Sequence, residues 1–209
     1  MALNKVYKVL FLRKLKFVTS GQIDEFCKAL GTDTAGTIKT LQSNGYLVRI
    51  LRGIFYVRDL EEAELGRNKI STFELLSNGL KLKNVDRWYL GLQSSLKING
   101  MTHEITMTEY VLNDTIFRQN PINIAGTPIL FIKVKKGLFD FGIMYEPIPH
   151  SDPEKTILDM IYLNRYKGRK DAWIVTEVSE YLGYLDKLKL TEYSKYYPKT
   201  VQTFIAGMI

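Results

Sequence analysis

The stretch from Asn4 to Val57 is punctuated so closely that few arrangements can accommodate it. Val6, Val9, Leu10, Leu12 and Leu15 fall near helical spacing, with Lys5, Lys8, Arg13 and Lys16 in the gaps. Thr19 or Ser20 then offers a side-chain oxygen to the free N–H groups of a second helix. Asp24 and Glu25 lie near its start, where the helix dipole favours negative charge, and Ile23, Phe26, Cys27 and Leu30 form its inner face. Gly31 tolerates the left-handed conformation that ends a helix. Thr32 or Asp33 caps a third helix whose inner face is read as Ala35, Ile38 and Leu41. Asn44-Gly45 closes it. Tyr46–Ile50 and Ile54–Val57 then read as two strands joined by Leu51-Arg52-Gly53.

Three helices followed by a hairpin is the order of a winged helix-turn-helix, in which the third helix enters the major groove of duplex DNA. The charge agrees with that expectation. The first sixty residues hold ten Lys or Arg against four Asp or Glu, whereas the other 149 hold nineteen against eighteen. Cations at one end of a chain suit a polyanion, because neutralising phosphates releases counterions. Thr34, Thr37, Lys39 and Thr40 are the residues expected to face the groove from the third helix. Arg49 and Arg52 are expected at the hairpin tip, and Lys5, Lys8 and Lys14 against flanking phosphates.

The acidic run Asp59–Gly66 reads as a linker, so the expected domains are residues 1–60 and 68–209. In the second, Ile70–Leu80 reads as a helix, and Arg87–Leu96 as a strand running into a helix that stops near Asn99-Gly100. Glu104–Val111, Pro128–Val134 and Gly142–Tyr145 alternate as strands do. Asp152-Pro153-Glu154 carries a helix-start signature, with Pro in the first turn. Trp173–Leu185, Leu190–Tyr197 and Lys199–Met208 read as closing helices. The expected class is α+β: a winged helix followed by a mixed α/β domain.

The segments Asn44-Gly45-Tyr46-Leu47 with Gly53-Ile54-Phe55-Tyr56-Val57, Tyr89–Gly100, and Ile148–Asp159 together resemble the AbiEi antitoxin-like transcriptional regulators. The last of these is similar to a Ser-Pro-Glu-Arg-Thr-Leu-Leu-Asp helix start, with Lys155 in place of the usual Arg. That exchange keeps the charge and loses the guanidinium fork. The Tyr184–Gly207 tail resembles the family's closing helices. The resemblance implies an N-terminal domain that binds operator repeats in double-stranded DNA and represses its own operon. It also implies a C-terminal domain that counteracts a nucleotidyltransferase-like toxin. A stand-alone regulator without a toxin is the nearest alternative. Oligomerisation on DNA stays open.

Catalytic signatures are sparse. Two histidines, His103 and His150, and one cysteine, Cys27, do not make the usual zinc site, and Cys27 reads as a small buried hydrophobe. No phosphate-binding glycine loop or Gly-x-Ser-x-Gly elbow occurs. Asp140, Glu146 and Lys155 are the residues that a metal-dependent nuclease reading would use, set against a reading of Asp140 and Glu146 as turn and strand-end residues. Asp159 is expected to be a structural hydrogen-bond partner, to Arg165 or the sheet. The expectation is therefore of no enzyme, cofactor or metal. Tyr181, Tyr184, Tyr193, Tyr196 and Tyr197, interleaved with Lys187, Lys189, Lys195 and Lys199, are expected to pack, with RNA contact as the alternative. With no apolar run of membrane-spanning length and an N-terminus unlike a signal peptide, the expected compartment is the cytoplasm.

Overall fold

Each boundary in the first sixty residues is set by a side chain. In a computed structural model describing residues 4–208, helix α1 (Lys5–Leu12) begins where the Asn4 carboxamide accepts from the N–H groups of Val6 and Tyr7. After strand β1 (Phe17–Thr19), Thr19 and Gln22 satisfy each other's backbone donors in a capping box and start helix α2 (Ser20–Leu30). Gly31, at φ 63°, ends it. Asp33 caps helix α3 (Thr34–Ser43). Strands β2 (Leu47–Leu51) and β3 (Ile54–Val57) form the hairpin, with a register irregularity between Arg49 and Leu51. β1 joins the hairpin as its third strand, in the order β1-β3-β2. Val6, Tyr7, Leu10, Val18, Ile23, Cys27, Leu41, Leu47, Phe55 and Val57 make one buried core between these elements.

The chain divides into two compact units, residues 1–86 with 122–127, and residues 87–121 with 128–209. The first therefore runs past the expected boundary at residue 60. The acidic run read as a linker is helix α4 (Leu60–Leu65), with Asp59 as its cap and Glu62 closing a capping box. Glu62 is buried because it is fully used: its carboxylate accepts from the Tyr56 hydroxyl at 2.6 Å, the Lys69 N–H at 2.6 Å and the Asp59 N–H at 2.9 Å. Burial alone would raise this carboxyl, but the three donors hold it below the ordinary range. Helix α5 (Thr72–Leu82) follows and buries Leu75, Leu76 and Leu80. Its Gly79 faces Ile50 so closely that a Cβ would sit 2.5 Å from Ile50 Cγ2.

The second unit starts with strand β4 (Trp88–Leu90) and helix α6 (Gln93–Ile98). Strand β5 (Glu109–Asn113) is shorter than the expected Glu104–Val111, because residues 102–108 form a loop. Strand β6 (Ile122–Ile124) belongs to the first unit, and β7 (Thr127–Lys133) returns the chain to the second. A 3-10 turn at Lys136–Phe139 leads to the short strands β8 (Ile143–Met144) and β9 (His150–Ser151). The sheet of this unit runs β7-β5-β4-β9-β8, with β5 parallel to β7 and antiparallel to β4. Helix α7 (Pro153–Tyr166) starts at the Asp152 cap with Pro in its first turn, as its sequence predicts. Helices α8 (Asp171–Val178), α9 (Lys187–Ser194) and α10 (Lys199–Ala206) complete the layer, with Ile157, Leu158, Ile161, Ile174, Val178, Leu190, Val201 and Ile205 in the core. The fold is thus mixed α and β. No helix among the described residues is long and apolar enough to cross a membrane.

Candidate nucleic-acid interface

Helix α3 turns a polar face to solvent: Ala35, Gly36, Lys39, Thr40, Gln42 and Ser43 are exposed. Thr37 is not among them. It is 7% exposed and lies on the inner face with Leu41 and the half-buried Ile38. The inward arc is Thr34-Thr37-Ile38-Leu41, with Thr37 and Leu41 buried and the other two half-buried, set by helical steps of three and four back from Leu41. Of the expected inner residues, Ile38 and Leu41 do face inward and Ala35 is exposed; Thr37 is buried in its stead and is no groove contact. Thr34 is half-buried and its hydroxyl donates to Asp24 Oδ1 at 2.7 Å, which ties α3 to α2. Gly36 is needed for the cap, since a Cβ there would meet Asp33 Oδ2 at 2.9 Å.

The ten cations of this segment divide sharply. Lys28 pairs with Asp24 at 2.7 Å, and Lys16 lies 3.9 Å from Asp59 and 4.0 Å from Glu62. Arg58 is spent internally, donating to Asn68 Oδ1 and to the carbonyls of Gly45 and Gly66. Arg13 lies over the Phe26 ring, 5.0 Å from its centroid. The other six are Lys5, Lys8, Lys14, Lys39, Arg49 and Arg52. All are exposed, and none forms an ion pair among the described residues. They are the six cations expected at the interface. The hairpin that carries Arg49 and Arg52 turns at Gly53, whose φ of 75° demands glycine. The Gly53 carbonyl accepts from the Ser20 N–H at 2.8 Å, which anchors the tip to α2.

The second unit holds a different polar cluster. Lys155 and Asp159, one helical turn apart on α7, are both fully buried with Nζ 3.6 Å from Oδ2. Asp159 accepts from the hydroxyls of Tyr89 at 2.8 Å and Tyr197 at 2.7 Å. Lys155 Nζ lies 4.4 Å from the Phe141 ring centroid and 4.7 Å from that of Tyr89. Burial lowers the Lys155 amine and raises the Asp159 carboxyl, each against the pull of the other. Asp159 therefore has a sheet partner in Tyr89 as expected, but Arg165 pairs with Asp171 instead. Asp140 and Glu146 are exposed while Lys155 is sealed, so the nuclease set does not share one accessible site. The residue on the turn between β4 and α6 that carries a strained conformation, φ 54° and ψ −134°, is Leu92, which has no nucleophile to present. Of the five C-terminal tyrosines, Tyr181 and Tyr197 are buried and Tyr193 is half-buried, whereas Tyr184 and Tyr196 stay 67% and 57% exposed.

No family model and no curated protein matches this sequence. Among solved structures, the chain is similar to the Rv2827c protein from Mycobacterium tuberculosis, with a TM-score of 0.57 at 13% identity. The match covers 97% of this chain and 74% of that one. At that identity the likeness concerns the fold.

Proposed function

We propose that the elements from α1 to β3 are a winged helix-turn-helix that binds duplex DNA, with α3 in the major groove and the β2–β3 hairpin as the wing. The observation that carries this reading is the sorting of cations. Every Lys or Arg of the segment outside the proposed contact set is paired, hydrogen-bonded or stacked inside the unit, and the six within it are free among the described residues. Lys39 and Thr40 reach the groove from the outer face of α3, with Gln42 and Ser43 beside them. Arg49 and Arg52 meet backbone or minor groove, and Lys5, Lys8 and Lys14 meet flanking phosphates.

The wider reading follows the sequence resemblance to AbiEi-type regulators: a repressor of its own operon, acting from the cytoplasm, whose second unit counteracts a nucleotidyltransferase-like toxin. Co-expression with a nucleotidyltransferase-like gene adjacent to its own tests the second half. Restored growth supports it, and unrelieved toxicity rejects it. For the first half, a labelled fragment of the chain's own upstream region is titrated with protein. Arg49→Glu with Arg52→Glu should weaken binding at least tenfold, because two phosphate or groove contacts become repulsive.

A further inference from the structure

The near-neutral charge of residues 61–209 is an average over an uneven surface. Four of its nineteen cations lie in six residues: Arg165, Lys167, Arg169 and Lys170, with no acid between them. They occupy the C-terminal end of α7, the turn at Gly168 (φ 72°) and the cap of α8. Aromatic residues stand on both sides of the turn. Tyr166 is 82% exposed and Trp173 is 44% exposed, with the Arg169 guanidinium 4.9 Å from the Trp173 ring centroid. Lys167, Arg169 and Lys170 form no ion pair among the described residues. The acids nearby are committed: Asp171 to Arg165, and the half-buried Glu177 to the Asn164 carboxamide at 2.7 Å.

Tyr166 also borders open space. It lines a cavity of about 270 Å³ with Tyr162, Pro198 and Thr200. A second cavity of about 540 Å³ shares Arg165 and Thr200 with the first and is edged by Lys199, Thr203 and Phe204. The two cavities share the Arg165 and Thr200 wall and are lined from α7, α8 and α10. Asp171 and Val175 line the larger cavity from α8.

We propose that this turn, with the exposed rings on its two sides, binds single-stranded nucleic acid. A strand crossing the turn stacks one base on the Trp173 ring face that Arg169 does not cover, passes its phosphates over Lys170, Lys167 and the outer edge of the Arg169 guanidinium, and stacks a second base on Tyr166. Unpaired bases have free faces for such aromatic platforms, and duplex bases do not. A basic turn whose acids are already paired, set between two exposed rings, matches that polymer in both charge and aromatic character. This surface belongs to the second unit and does not depend on the duplex-binding reading of the first.

The test uses the full chain and a labelled oligouridylate of about 12 nucleotides, with the deoxy oligomer and a duplex as separate arms. Affinity should fall with salt at a log–log slope of about −2, as three phosphate contacts on a single strand require. Arg169→Glu with Lys170→Glu should cost at least tenfold on either single strand and leave duplex binding unchanged. Arg49→Glu with Arg52→Glu should do the reverse. Binding should also quench tryptophan emission, and Trp173→Phe, at an exposed site, should abolish that quenching. A clear preference for the ribose strand or indifference to the sugar both agree with the proposal. Single-strand binding unaffected by the Arg169/Lys170 reversal, or quenching that survives Trp173→Phe, overturns it.

Discussion

Replacing Lys155 by Met separates the cost of an orphaned charge from the cost of a hole, since Met nearly preserves the length of the chain. In the native protein Nζ is 3.6 Å from Asp159 Oδ2 with neither group exposed. At an effective dielectric of about 20, unit charges at that distance attract by roughly 4–5 kcal/mol. Withdrawing each ion from water costs several kcal/mol, so the intact pair is nearly neutral in its net effect. Its removal by halves is not. Lys155→Met leaves Asp159 with two tyrosine donors and no cation, and should destabilise by about 3–5 kcal/mol. Adding Asp159→Asn removes the orphaned charge while its carboxamide can still bond both tyrosine hydroxyls. The double variant should therefore recover to within about 2 kcal/mol of the native protein. Urea unfolding followed by tryptophan fluorescence is well placed for this, because Trp88 and Trp173 both lie in the second unit with Lys155. A single-variant cost below about 1 kcal/mol, or a double-variant cost equal to the sum of the singles, would refute the reasoning.

Three further outcomes are expected. Gly79→Ala should destabilise the first unit by about 1–3 kcal/mol, because the new methyl meets Ile50 at 2.5 Å inside a packed layer, and scanning calorimetry would register it. Asp59 and Glu62 are held below their ordinary values, so the stability they supply is full above about pH 4.5 and is lost as the pH falls through their folded values. Glu62→Gln should lower stability at neutral pH by about 1–3 kcal/mol and flatten that acid loss, as melting temperatures at pH 7 and pH 4 would show. Thr37→Val should leave duplex affinity within about twofold of native, because the side chain is buried beneath α3; a tenfold loss in a binding titration would return it to the interface.

Much of the first unit was legible because its boundaries are enforced locally. Thr19, Gly31, Asp33 and Gly53 act on their own neighbouring backbone, and such signals survive without knowledge of the tertiary fold. The exposure of Lys5, Lys8, Lys14, Lys39, Arg49 and Arg52 was legible for the opposite reason: free charges stay in water. Failures came where tertiary contacts reassign a polar residue. Glu62 looks like a linker acid until the Tyr56 hydroxyl and Lys69 N–H are folded onto it. Thr37 looks like a contact because the apolar Ala35 takes its place in the expected inner face; its four-residue step to Leu41 was the available signal. Lys155 gave no local sign of burial, since its partner rings at residues 89, 141 and 197 are far apart in the chain. The division at residues 86 and 87 was equally hidden, because α5 joins the first unit through long-range packing against β2.

The central claim is that six free cations of the first unit meet duplex DNA. The most direct measurement is the affinity of the full chain for its upstream duplex as a function of salt. About five phosphate contacts predict a log–log slope between roughly −4 and −5, reduced by about one for each of Lys5, Lys8 or Arg52 changed to Ala. A slope near zero, or one that none of these substitutions alters, would contradict the account.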